Sequence, residues 1–154
     1  MALFEIPTAL LESPSFQLER LRRRTRDAVE AQLSQKKVSL REYWVLSCLM
    51  NTDATSQTAL CELLAVDASD MVRLIDSLEK KNWVKRERDP KDRRRQIVRA
   101  TKKGHKAQAE LASLVSEAEH SALYESTHKQ LKHLRKLADA IFDAELDAQR
   151  ESEA

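Results

Sequence analysis

Between residues 80 and 106 the chain carries 13 Lys/Arg against 3 Asp/Glu. Such a density of positive charge serves one chemistry above others, the ionic binding of a polyanion. Arg93, Arg94 and Arg95 follow Asp92 directly, and Arg86 and Arg88 stand a few residues upstream. Guanidinium groups present rigid forks of donors that match phosphate oxygens and base edges. The rest of the chain is net negative, so the formal charge of +2 conceals a polarised molecule. Nucleic acid is the usual partner of such a stretch, and a membrane surface the less usual one. A second basic group, Arg20, Arg22, Arg23, Arg24 and Arg26, reads as a solvated helix face that could also touch phosphates.

Covalent chemistry has little to work with. One glycine in 154 residues excludes Gly-rich phosphate loops and dinucleotide fingerprints. His105, His120, His128 and His133 form no metal-ligand pattern with each other or with Cys48 and Cys61. No nucleophile–base set or carboxylate pair stands at an interpretable spacing, so an enzyme is not expected, nor any cofactor. Cys48 in VLSCLM and Cys61 in TALCELL read as small buried hydrophobes, with a thiol-redox switch as the open alternative. No apolar run is long enough to span a bilayer, and the N-terminus lacks a basic leader, so a cytoplasmic protein without membrane contact is expected.

The length suits one domain, and the scarcity of Gly and Pro disfavours a turn-rich β fold. Ser13-Pro14 opens a first helix of roughly 14–35 with a weakly apolar stripe suited to a partner helix. Ser39 and Glu42 form a capping box before a helix of roughly 40–51, and a polar turn follows to Thr55. Ser56 caps a short helix that stops near Ala65, with Ala59, Leu60, Leu63 and Leu64 inward. Asp67 caps the next, whose Met71, Leu74, Ile75 and Leu78 are spaced for burial. A short helix, a tight turn and a second amphipathic helix make a helix-turn-helix, with Ala68, Ser69, Asp70, Val72 and Arg73 as candidates for base edges. Residues 83–88 and 96–100 alternate as two strands around the cationic 89–95 connection, a β-hairpin. A flexible Arg-rich tip suits the narrow minor groove. The fold expected is therefore mainly α with a small β-hairpin wing, a winged helix-turn-helix. Thr101 to Gly104 opens a long helix with Ala107, Leu111, Leu114, Val115 and Ala118 on one side. A last helix begins near Thr127 with Leu131, Leu134, Leu137, Ala138, Ile141 and Phe142 apolar, and Glu145 to Ala154 is expected to fray.

VRLIDSLEKKNWVKR, then DPKDRR, then a Thr-x-x-Gly opening, all within residues 56–106, resemble the multiple antibiotic resistance regulator (MarR) family of bacterial transcription factors. The resemblance extends over nearly the whole chain. It implies a single domain, 1–154, with a DNA-binding lobe at 40–106 and dimerisation helices at 14–35 and 107–146. It also implies a homodimer on a pseudo-palindromic operator of double-stranded DNA, acting as a repressor, less often an activator, that a small aromatic or phenolic ligand or thiol oxidation releases. Ser69 and Arg73 match recognition-helix positions of the family. Asp92 and Arg94 match the wing Asp-x-Arg, where the Arg enters the minor groove, with Arg93 as its substitute. Ser56, Gln57, Asp70, Arg86, Arg88 and Arg95 complete the expected DNA-binding set. Asp70 and Val72 depart from the hydroxyl residues common there, and Ala68 from a long polar one. Asp70 either accepts from cytosine N4 or stabilises the helix N-terminus. The family's ligand pocket would fall near Tyr43 and Trp44, with His105 beside them, although Trp44 equally suits a core or dimer contact. The oxidation-sensing branch of the family uses a Cys near the first helix, and this chain has none there. A winged-helix protein that binds RNA, anionic lipid or an acidic protein is the competing reading.

Overall fold

The computed structural model describes residues 5–154, which form two units divided after Ala122. In the first unit, a single turn α1 (Thr8–Leu11) precedes α2 (Pro14–Ser34), whose N-cap is Ser13 with Pro14 at the first helical position. Pro is placed well there because its missing N–H would be unpaired anyway. α3 (Leu40–Cys48) follows, and ends three residues earlier than its periodicity predicts, with Leu49 as C-cap. Half of the expected capping box forms: Ser39 Oγ accepts from the Glu42 amide at 3.1 Å. The Glu42 carboxylate turns instead to Lys81 Nζ at 2.9 Å, and that ammonium also reaches Ser77 Oγ at 3.1 Å. A half-buried charge pair outweighs the local backbone bond that the box would supply.

The polar turn after α3 ends in a strand that sequence reading missed, β1 (Thr55–Ser56). α4 (Gln57–Leu64) and α5 (Ala68–Lys80) are capped as expected, by Ser56 Oγ accepting from the Ala59 amide and by Asp67. Ala65 makes the turn between them in the left-handed region, φ 51°, so that the Val66 amide can bond back to the Cys61 carbonyl. Leu60 is fully buried, but Leu63, expected inward, is exposed.

β2 (Val84–Arg88) and β3 (Gln96–Ala100) form the hairpin, and β1 pairs with the other edge of β3, giving an antiparallel sheet in the order β1-β3-β2. The register sets Arg86 opposite Val98 and Ser56 opposite Ile97. α6 (Lys102–Ala122) buries Ala107, Leu111, Val115 and Ala118 as its spacing predicts. Leu33, Leu46, Leu49, Leu60, Met71, Ile75 and Leu78 are fully buried where the helices of this unit meet. Each contributes about 1.5–3 kcal/mol by leaving water.

Gly104 owes its identity to one contact. A Cβ there would lie 2.0 Å from the Trp83 carbonyl oxygen. That oxygen accepts from the Thr101 amide at 2.9 Å, while Thr101 Oγ1 donates to the Asn82 carbonyl and accepts from the Gly104 amide. Thr101 thus ends the hairpin and caps α6 at once, pinning the wing to the long helix.

The second unit is α7 (His128–Glu153), which opens on a complete capping box between Thr127 and Gln130. The expected fraying after Glu145 is not found, and the helix runs to Glu153. Ala, Glu, Leu, Gln and Arg are strong helix formers, and Arg150 pairs with Asp147 one turn away at 3.5 Å. Leu131, Leu134, Leu137, Ile141, Phe142 and Leu146 form an exposed apolar row along it.

Candidate nucleic-acid interface

α5 is amphipathic in the sense the helix-turn-helix requires. Met71, Ile75 and Leu78 face the core, and Ala68, Ser69, Val72 and Arg73 are exposed. Its first turn is organised by Asp67, whose Oδ1 accepts from the Asp70 amide and from Ser69 Oγ, both at 2.8 Å. Those bonds, the Asp70 amide foremost, hold the Asp67 carboxyl below the usual carboxylate range. Ser69 therefore spends its proton on the cap and presents lone pairs outward. Asp70 lies between two arginines, Arg41 of α3 at 3.7 Å and Arg73 at 4.0 Å. Arg73 keeps 82% of its side chain in solvent.

The wing tip is a built turn. The Asp89 amide bonds to the Arg95 carbonyl and the Arg95 amide to the Asp92 carbonyl, each at 2.9 Å. Asp92 Oδ1 accepts from the Arg94 amide at 3.1 Å and lies 3.7 Å from Arg94 Nε. Asp92 thus shapes the backbone that carries Arg94, whose side chain is 96% exposed. Arg88, Arg93 and Arg95 are exposed as well.

Other expected residues are placed differently. Arg86 lies on the same strand face as buried Val84 and turns toward α5, bonding Asp76 and Glu79 Oε1, the latter at 3.0 Å. Burial alone would lower its pKa, and the two carboxylates more than reverse this. Its guanidinium docks β2 on α5. Ser56 Oγ is engaged as the α4 cap. Gln57 is half-buried, with its Oε1 lacking a hydrogen-bond partner among the described residues.

A cleft of about 630 Å³ opens among α2, the first turns of α3, and α6. Tyr43 and Trp44 line it; His105, exposed in the first turn of α6, does not. Sequence reading missed its polar lining: Arg22 and Arg26 from α2, Arg41 from α3 and Glu119 from α6. Arg22, Arg26 and Val29 recur at helical spacing on one face of α2, which is the signal that was available. Burial raises the Glu119 carboxyl.

The MarR family pattern matches residues 38–95, from the start of α3 to the wing tip. Through this segment the chain is similar to the MarR family. The matched segment holds both helices of the helix-turn-helix and the whole basic tip. A proposed transcriptional regulatory protein for the hcr operon of Thauera aromatica is 34% identical over 73 residues, 47% of this chain and 44% of that protein. The chain thus spans less than half the length of that curated relative. Solved structures share the fold over more of the chain. CouR from Rhodococcus jostii RHA1, bound to p-coumaroyl-CoA, is 22% identical with a TM-score of 0.78, covering 88% of this chain and 95% of CouR. A cysteine-to-serine mutant of MarR from E. coli, complexed with operator DNA, is 19% identical with a TM-score of 0.75, covering 89% and 99%. The fold is that of solved MarR-family structures, and the matched segment is similar to that family. Among the described residues no helix is long and apolar enough to cross a membrane.

Proposed function

We propose that this chain is a cytoplasmic, sequence-specific DNA-binding transcriptional regulator, a homodimeric repressor that a small aromatic ligand releases from a pseudo-palindromic operator. The observation that carries the DNA-binding reading is the ordered wing turn that holds Arg94 almost wholly in solvent beside a recognition helix whose apolar face is buried. Arg88, Arg93, Arg94 and Arg95 supply phosphate and minor-groove contacts, and Ser69, Asp70 and Arg73 face the major groove. Ser56 and Gln57 bring the α4 N-terminus to the backbone, and Arg86 braces the wing. The operator-bound relative supports this reading. The apolar row on α7 supports a second copy of the chain as its cover, since such a row in water favours a partner helix.

The cleft with Tyr43 and Trp44 supports a ligand site, as does the relative that holds p-coumaroyl-CoA. A thiol switch is not favoured. Burial pushes the Cys48 thiol up, and burial with the Asp67 charge pushes Cys61 up, so both shifts run against the thiolate such a switch needs.

A competition experiment separates DNA binding from the RNA and lipid alternatives. Labelled duplex DNA is displaced by unlabelled duplex DNA, by duplex RNA of the same sequence, or by vesicles rich in phosphatidylserine. Duplex DNA is expected to compete at concentrations at least about tenfold below either alternative. Equal or better competition by RNA or vesicles refutes the proposal.

A further inference from the structure

Arg41 belongs to two places at once. It lines the cleft, and its guanidinium pairs at 3.7 Å with Asp70 in the first turn of α5, 56% of the Arg41 side chain and 41% of the Asp70 side chain remaining in solvent. The other cleft arginines on α2 have carboxylate partners on their own helix, Arg26 with Glu30 at 3.2 Å and Arg22 with Glu19 at 4.0 Å. Arg41 differs because its partner lies on the helix offered to DNA. The next residue, Glu42, holds Lys81 just past the other end of that helix. The first turn of α3 therefore grips α5 at both ends while forming one wall of the cleft.

We infer that Arg41 couples the cleft to the recognition helix, because an aromatic carboxylate bound beside Trp44 and Tyr43 competes with Asp70 for the Arg41 guanidinium. The inference rests on the reading of the cleft as the ligand site and adds its ligand charge and its route to DNA. A planar carboxylate between flat rings and a guanidinium fork satisfies the fork in two parallel bonds. When Arg41 turns to the ligand, Asp70 keeps Arg73 as its neighbour at 4.0 Å. A carboxylate left with one partner draws Arg73 away from phosphate and itself repels the DNA backbone. Coupling by a shared group is reciprocal, so DNA that needs the Arg41–Asp70 pair weakens the anion by the same factor.

The test uses titration calorimetry on the full chain without DNA, with 4-hydroxycinnamate as probe and its neutral amide as control, on wild type, Asp70→Asn, Arg41→Gln and the double variant. Both side chains are partly solvated and neither lies in the core, so the variants are expected to fold, which circular dichroism checks. The carboxylate should bind wild type more tightly than the amide. Asp70→Asn should tighten carboxylate binding about two- to fivefold, the scale of an exposed ion pair. Arg41→Gln should weaken it about tenfold, and adding Asp70→Asn to that variant should then change nothing. If wild type binds the carboxylate but Asp70→Asn leaves its affinity unchanged, the coupling is wrong and the cleft remains a ligand site. If neither wild type nor Asp70→Asn binds it, the coupling and the cleft reading fail together. The DNA-binding reading rests on a separate measurement and does not depend on either result.

Discussion

Replacing Gly104 with Ala tests how the wing is fixed to the long helix. In an exposed helix interior this change stabilises by up to about 1 kcal/mol. Here the new methyl would meet the Trp83 carbonyl oxygen at 2.0 Å and its carbon at 2.9 Å. Both obstacles are backbone, so no side chain can swing aside. Relief requires moving the start of α6 away from the 82–84 segment, which opens the bond from the Thr101 amide to that carbonyl and strains the Thr101 bond to Asn82. Overpacking costs about 1–3 kcal/mol and each weakened hydrogen bond about 1 kcal/mol. Set against the helix gain, the net loss is about 2–4 kcal/mol, a fall in Tm of roughly 4–16 °C for a chain of this size. Thermal unfolding followed at 222 nm, at one protein concentration for both proteins, measures it. A Tm unchanged or raised would show that the close approach does not constrain the hinge.

Ala65→Gly should act in the opposite direction. Removing the Cβ from a residue at φ 51° should raise stability by about 0.5–1 kcal/mol, read in the same melts, and a loss would refute the strain assigned to that turn. Arg94→Ala should leave Tm unchanged, since the side chain is 96% exposed, yet weaken duplex binding at least about tenfold and flatten its salt dependence; equal affinity would remove the wing tip from the interface. The Asp67 carboxyl titrates below its unfolded value, so its cap stabilises fully above the ordinary carboxylate range and is lost as pH falls through the lower, folded value. Acid titration of helicity should therefore show less loss in Asp67→Asn than in wild type over that window, and parallel curves would contradict the cap's role. Leu137→Lys on the exposed row of α7 should shift the protein from dimer toward monomer in sedimentation equilibrium, and an unchanged dimer would place the subunit contact elsewhere.

What could be read from the residues followed the range of the forces involved. Ser56, Asp67 and Thr127 cap helices through bonds three residues long, and the wing turn from Asp89 to Arg95 closes on itself, so both were legible. β1 was not, because two residues carry no periodicity and Thr55 and Ser56 extend only against β3, some forty residues away. Glu42 left its expected box for Lys81, and Arg41 acquired its place between cleft and α5, through partners distant in sequence. Arg86 is a different case. Charge density alone put it with the DNA contacts, yet the two-residue alternation of a strand already set it on the face of buried Val84, toward Asp76 and Glu79. Leu63 fits the apolar spacing of its helix and yet is exposed.

The central claim is that the basic wing and α5 read a particular DNA sequence. Fluorescence anisotropy of the purified protein, at ~0.15 M salt with excess unrelated duplex, tests it on DNA from immediately upstream of its own gene and on duplexes selected from genomic fragments. The account predicts saturable binding at about 10⁻⁸ M or tighter to at least one such duplex that survives the competitor. Binding that is equal for every duplex and is erased by modest salt would contradict it.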